Sequence, residues 1–142
     1  MVNERLNFMQ DNQDIVSLEA DDITITAGSE LVDNTAQGFL WGYYLCIENN
    51  SNEKITLVGK DWNITDALGN NFSDDSVGFE GAIPELEPGE FFEFTGSAPL
   101  KSSNAIFYGS CKILKKGNNI AQNIKMPILQ FNAKDISKAI PN

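Results

Sequence analysis

The stretch "FLWGYYLCIE", residues 39–48, alternates in character from one position to the next. Phe39, Trp41, Tyr43, Leu45 and Ile47 fall on one face of an extended chain, and Leu40, Gly42, Tyr44, Cys46 and Glu48 on the other. A two-residue period places successive side chains on opposite sides of a β-strand, whereas a helix would repeat every three or four residues. The same alternation recurs in "EKITLVGKDWNIT" (53–65), with Ile55, Leu57 and Gly59 against Thr56, Val58, Lys60 and Trp62. Further strands are predicted at "DITIT" (22–26), "EFFEFTGS" (90–97), "NAIFYGSCKIL" (104–114) and "NIAQNIKMPILQF" (119–131).

The connectors have identifiable turn chemistry. "EPGE" (87–90) puts Pro88 and Gly89 at the central positions of a type II turn, which needs a fixed negative φ followed by a positive one. In "TDALGN" (65–70), Asp66 can accept local backbone hydrogen bonds and Gly69 can take the left-handed conformation. About seven strands, each with one apolar face, predict an all-β sandwich of immunoglobulin or fibronectin type III character. The expected division is a polar lead-in at 1–20, the sandwich at 21–131 and a tail at 132–142 with weak helical character in "AKDISKAI" (133–140).

At 142 residues the chain suits one domain with a core of its own. Ten basic against 20 acidic residues give a net charge of −10, which argues against nucleic acid as a partner. The small cluster Lys112, Lys115 and Lys116 flanks a predicted turn and does not reverse that. "MVNERLNFMQDNQD" (1–14) lacks the apolar core of a signal peptide, and no run of about 18 apolar residues occurs. The expected location is cytoplasmic, without membrane association, and Cys46 and Cys111 are expected to stay thiols.

Histidine is absent, which removes the commonest general base and the commonest zinc ligand. Cys46, Trp62 and Cys111 imitate the spacing of antibody domains, but alternation puts the cysteines out of phase. Two unpaired thiols are expected, Cys111 buried and Cys46 less so. Trp62 is expected in the core with Val58 and Ile64. Seven acidic residues between Asp74 and Glu93, with no Lys or Arg among them, match no calcium-loop spacing and read as solvated. No catalytic residue, metal site or cofactor is predicted.

"SVGFEG" (76–81) looks like half of a phosphate-binding loop. Such loops work because glycines allow close backbone approach to pyrophosphate at the N-terminus of a following helix. Here "AIPELEPG" follows, whose prolines and turn residues cannot start a helix, and Glu80 adds negative charge.

Taken in order, "YYLCIENNSNEKITLVGKDWNITDALGN", "SVGFEGAIPELEPGEFFEFTGSAPL", "IFYGSCKIL" and "MPILQF" resemble the ApaG family, a bacterial domain also found in some F-box proteins. The resemblance runs from about Ile23 to Phe131 and implies the same sandwich. It also implies a glycine-rich loop of suggested pyrophosphate affinity, mapping here to Ser76, Gly78 and Gly81, with departures at Ser76 and Glu80. Before Trp62 the family typically carries Arg-His, and this chain carries Lys60 and Asp61, which as an exposed pair would contact a partner.

The expected function is therefore non-catalytic binding of another protein, with a family association to cobalt and magnesium resistance. Exposed sandwich edges commonly pair, which also admits a homodimer. The alternative is a sensor or hydrolytic enzyme that binds a phosphorylated small molecule or nucleotide at 76–81.

Overall fold

A computed structural model describes residues 14–133 and shows strands and turns throughout, with no helix among them. β1 (Asp14–Ala20), β2 (Ile23–Thr35) and β3 (Gly38–Asn49) form an antiparallel meander. β4 (Ile55–Asp66), β5 (Asn71–Asp74) and β6 (Glu85–Leu86) follow, then β7 (Phe91–Leu100), β8 (Asn104–Lys115), β9 (Gln122–Lys125) and β10 (Leu129–Asn132). The first sheet runs β1-β2-β3-β7, and the second runs β10-β8-β4-β5, with β6 also on β4 and β9 also on β8. The chain is an all-β sandwich of two facing sheets.

The alternation in 39–48 sorts as the sequence predicts. Trp41, Leu45 and Ile47 enter the core, and Phe39 and Tyr43 pack against it. The opposing sheet contributes Leu57, Trp62, Phe107, Ile113 and Phe131. Trp41 stacks on Phe131 across the gap at 5.2 Å, joining the layers by aromatic as well as aliphatic contact.

Ten strands stand among the described residues where about seven were predicted. β1 lies within the expected lead-in, where "DIVSLEA" itself alternates: Val16, Leu18 and Ala20 sit opposite Ala27, Ile25 and Ile23. The long predicted strand at 119–131 divides into β9 and β10 around Pro127, which has no backbone N–H to donate to a ladder. The predicted turns form as read. Gly89 has φ +89° with Glu90 donating to the Glu87 carbonyl, and the Asp66 carboxylate accepts from the amides of Leu68 and Asn70. The tail "AKDISKAI" falls almost wholly outside the described residues.

Neither cysteine forms a disulfide among the described residues, and both are buried. The expectation of a more exposed Cys46 is corrected. It lies on the outward face of the first sheet, opposite Thr26 and Glu93, close enough to the Tyr44 hydroxyl to influence its ionisation. Tyr44 donates to Glu93 at 2.6 Å, and burial first, then this bond, makes the phenol much harder to ionise. Cys111 faces inward, where burial lifts its thiol to about 12, with Trp62 and Lys60 acting in the opposite direction.

Candidate functional site

The register of β4 against β8 slips between Leu57 and Gly59. This β-bulge inserts one extra residue, so the inward positions change from Ile55 and Leu57 to Lys60, Trp62 and Ile64. Lys60 consequently sits opposite Cys111 and is 3% exposed. The sequence expectation of an exposed Lys60–Asp61 pair is corrected, because the bulge turns Lys60 into the protein and leaves Asp61 at the surface.

A buried ammonium needs partners. Lys60 Nζ donates to the carbonyl oxygen of Gly78 and lies 5.4 Å from the Trp62 ring and 5.1 Å from the Phe79 ring. The glycine-containing loop is thus pinned from beneath by a lysine that residue type alone would assign to solvent.

Above that lysine the segment 71–86 runs along β4 as one interrupted edge strand. β5 pairs with Trp62–Thr65, Val77 bridges to Gly59, Gly78 N donates to Val58 O, and Leu57 N donates to Pro84 O before β6 pairs with Ile55. Between these contacts, Phe79 and Ala82 exchange both backbone hydrogen bonds, at 2.8 and 3.1 Å. The two residues they enclose, Glu80 and Gly81, have φ of +51° and +87°. Positive φ at both central positions defines a type I′ turn.

The turn and its flanks commit four of the amides that an anion could use. Those of Gly78, Phe79 and Ala82 are bonded to main-chain carbonyls, and that of Ser76 is bonded to the Asp74 carboxylate at 3.0 Å. Ser76 Oγ bonds the same oxygen at 2.7 Å. No helix follows Gly81. Gly78 is required for a different reason: with φ +68°, a Cβ there would come within 3.0 Å of the Ala82 carbonyl oxygen.

The turn drives Phe79 inward between the sheets. It is 2% exposed and packs edge-on against Trp62, Phe92 and Phe94, at 5.3 to 5.8 Å between centroids. Phe92 and Phe94 lie on β7, the outermost strand of the first sheet, so Phe79 closes one long side of the sandwich like a plug. Burying such a side chain contributes about 1.5–3 kcal/mol.

Tyr43 reaches the same seam. Its ring crosses the backbone of Gly96 on β7, where a Cβ could not fit, and meets Phe107 edge-on at 4.9 Å. Burial, then the negative charges of Asp74 and Glu80, make its hydroxyl harder to ionise. The Asp74 carboxyl is held below the ordinary range by its two bonds from Ser76, against a smaller effect of burial and with help from Lys60. The seam therefore gathers Tyr43, Lys60, Asp74, Ser76, Gly78 and Glu80.

Of the residues predicted from sequence, Ser76, Gly78 and Lys60 meet here, Gly81 forms the turn tip, and Asp61 points away from the core. Tyr43, Asp74 and Phe79 were missed. The exposed, apolar neighbours of the loop are Val77 at 76%, Ile83 at 52% and Phe72 at 47%. Elsewhere an open depression of about 380 Å³ lies beside Thr65, Ile106 and Phe131, and its one titratable group, Asp66, is engaged in its own turn. Among the described residues no three His, Cys, Asp or Glu side chains cluster as metal ligands, and no helix is long and apolar enough to cross a membrane.

An antiparallel two-sheet sandwich with a pinned turn plugging its seam defines a class of small all-β domain. Within it, residues 29–115 match the ApaG domain, and the chain belongs to the ApaG family. The Protein ApaG of Beijerinckia indica is 34% identical over 103 residues, covering 70% of this chain and 79% of that one. The Protein ApaG of Brucella canis is 32% identical over 98 residues, covering 68% and 74%. Two solved structures share the fold. The structural genomics target SoR45 superposes with a TM-score of 0.76 at 19% identity, over 84% of this chain and 92% of its own. The putative ApaA protein from Bordetella pertussis gives 0.73 at 23% identity, over 78% and 93%.

Proposed function

We propose that this chain is a non-catalytic, immunoglobulin-like binding module of the cytoplasm that recognises another protein through the seam side carrying residues 71–83. The observation that carries this reading is the exposure of Val77 and Ile83 on a loop held by the main-chain bonds of Gly78, Phe79 and Ala82. Apolar side chains held outward by a rigid turn suit a protein surface, because little conformational entropy is lost when they are covered. The same bonds leave few amides for a phosphate, and Glu80 at the tip repels one. Histidine is missing, and burial suppresses ionisation of the Tyr43 phenol and the Cys111 thiol, which disfavours acid–base or nucleophilic catalysis at the seam. Any part in cobalt or magnesium tolerance then passes through the bound partner.

Two measurements test this. Calorimetric titration with diadenosine tetraphosphate, ATP and pyrophosphate, with and without Mg²⁺ or Co²⁺, should give no heat of binding. Micromolar affinity abolished by Gly81→Ala would instead establish the nucleotide reading. Affinity capture should then retain a protein on the native chain and lose it with Val77→Asp and Ile83→Asp, both exposed positions that leave the fold intact.

A further inference from the structure

The outward face of the first sheet is drier than its position allows. Ile15, Gly28, Tyr44 and Thr95 form one row across it, and Cys46 stands between Thr26 and Glu93 in the next. The second sheet packs on the opposite face, against Trp41, Leu45 and Ile47, so no described strand lies over these rows. A tyrosine on the open side of an antiparallel sheet would be wetted along one face of its ring. Tyr44 is instead 3% exposed, and Thr26 and Cys46 are 6% and 0%. Their neighbours do not explain it. Gly28 and Gly42 have no side chain to lean over the ring, while Val32, which reaches over Gly42, and Thr95 are themselves exposed.

The dry strip is about one strand wide. Ser17 and Glu19 of β1 are exposed on one flank, as are Thr95 and Ser97 of β7 on the other. A second copy or a folded partner would cover the flanks too, so the cover is a single extended segment lying along β3. It belongs to the same chain, because the burial is that of one chain alone. Beyond the described residues the chain offers 1–13 and 134–142. Ala133 follows β10 on the second sheet, its amide donating to the Ser103 carbonyl, on the far side of the sandwich. Asp14 instead opens β1, and Ile15 stands in the row of Tyr44, two strands away. Crossing two strands spaced about 4.8 Å and rising about 10 Å above the sheet takes about 14 Å, or about four to five residues.

We infer that residues 1–13 fold back across the outer face of the first sheet and lie along β3 as an extended strap, sealing Tyr44 and Cys46 from water. That path brings Phe8 and Leu6 over the two side chains. Both fall on one face of an extended "RLNFMQ" (5–10), so they cover the strip together. Arg5, the one arginine of the chain, then arrives near Glu48 and Glu93, the half-buried carboxylates that border the strip. Apolar burial holds the strap, and charge-assisted pairing fixes its register. The covered face is separate from the seam. Cys46 is thereby a thiol that opens when residues 1–13 are displaced, whereas Cys111 is sealed by the two sheets themselves.

The test begins with the full native chain, labelled with ¹³C and ¹⁵N. Nuclear Overhauser spectra should show contacts from Phe8 and Leu6 protons to Tyr44 and Cys46. A disulfide-exchange reagent at pH 8, with the labelled peptides identified by mass spectrometry, should find both cysteines protected. In Leu6→Asp with Phe8→Asp, and in a chain lacking residues 2–12, Cys46 should react at least about tenfold faster while Cys111 stays protected. The two thiols thus separate loss of the strap from loss of the fold.

Protection of Cys46 that survives both variants would overturn the inference. So would contacts to Tyr44 from residues 134–142 in place of residues 1–13. If the variants expose both thiols together, the native chain decides: contacts from Phe8 or Leu6 to Tyr44 uphold the strap, and their absence sinks it.

Discussion

Replacing Gly78 by alanine tests the turn reading directly, because the structure sets two separate costs at that position. Its φ of +68° imposes a left-handed conformation that costs an L-residue about 1–2 kcal/mol. The added Cβ would also lie within 3.0 Å of the Ala82 carbonyl oxygen, a main-chain atom held by its bond to Phe79 N. Relieving that overlap must open the turn or withdraw Phe79, which brings the total to about 3 kcal/mol. Gly81 offers an internal control. It has φ +87° but nothing within 4 Å of an added Cβ, so Gly81→Ala should cost only the conformational share, about 1–2 kcal/mol. Urea unfolding followed by tryptophan fluorescence reads both, since Trp41 and Trp62 are buried. At about 1.5 kcal/mol per molar urea, Gly78→Ala should lower the midpoint by about 2 M and Gly81→Ala by about 1 M. Equal losses in the two variants would refute the packing account, and a larger loss at Gly81 would invert it.

Three further outcomes follow from the same geometry. Lys60→Met should change global stability by no more than about 1 kcal/mol, because loss of the Gly78 bond is offset by relief of a buried charge; hydrogen exchange at the Gly78 amide should nevertheless accelerate, and an unchanged rate would refute the pinning. Asp74 has a folded-state carboxyl depressed by Ser76, so its stabilising contribution is present above its unfolded value near 3.8 and disappears as pH falls through the lower folded value. Asp74→Asn should therefore be less stable than the native chain at neutral pH, with the gap closing as the pH falls below 3.8, as followed by thermal melts. Cys46 and Cys111, both buried, should resist a disulfide-exchange reagent at pH 8 in the folded chain and react together in denaturant; rapid labelling of the native protein would contradict their burial.

How far the sequence reached depends on whether the deciding interaction was local. The alternation of Phe39 to Ile47 is carried within ten residues, and the layers formed from it. "EPGE" and "TDALGN" became the expected turns because Pro88, Gly89, Asp66 and Gly69 act on their own backbone. β1 was legible too, in the alternation of Val16, Leu18 and Ala20, but polar neighbours obscured it. Lys60 was misread because a bulge changed the phase of its strand after Leu57, and a lysine carries a strong prior for solvent. Trp62 reached the core as expected, although it shares its face with Lys60 and not with Leu57's unshifted alternation. The meeting of Tyr43, Asp74 and Phe79 depends on strands far apart in sequence, and on a gap left by Gly96 that only the folded sheets reveal.

The displaced register in β4 has a consequence for chain length. From Lys60 to Asp66 the inward set depends on one surplus residue between Leu57 and Lys60. Deleting Val58 would remove that surplus and leave Leu57, Gly59 and Lys60 in unbroken register with Ile113, Lys112 and Cys111, so Lys60, Trp62 and Ile64 would still face inward. Losing or gaining one residue in the regular part of the strand, by contrast, puts the side chains beyond it on the wrong face. Tolerance to a one-residue deletion in β4 should therefore peak at the bulge.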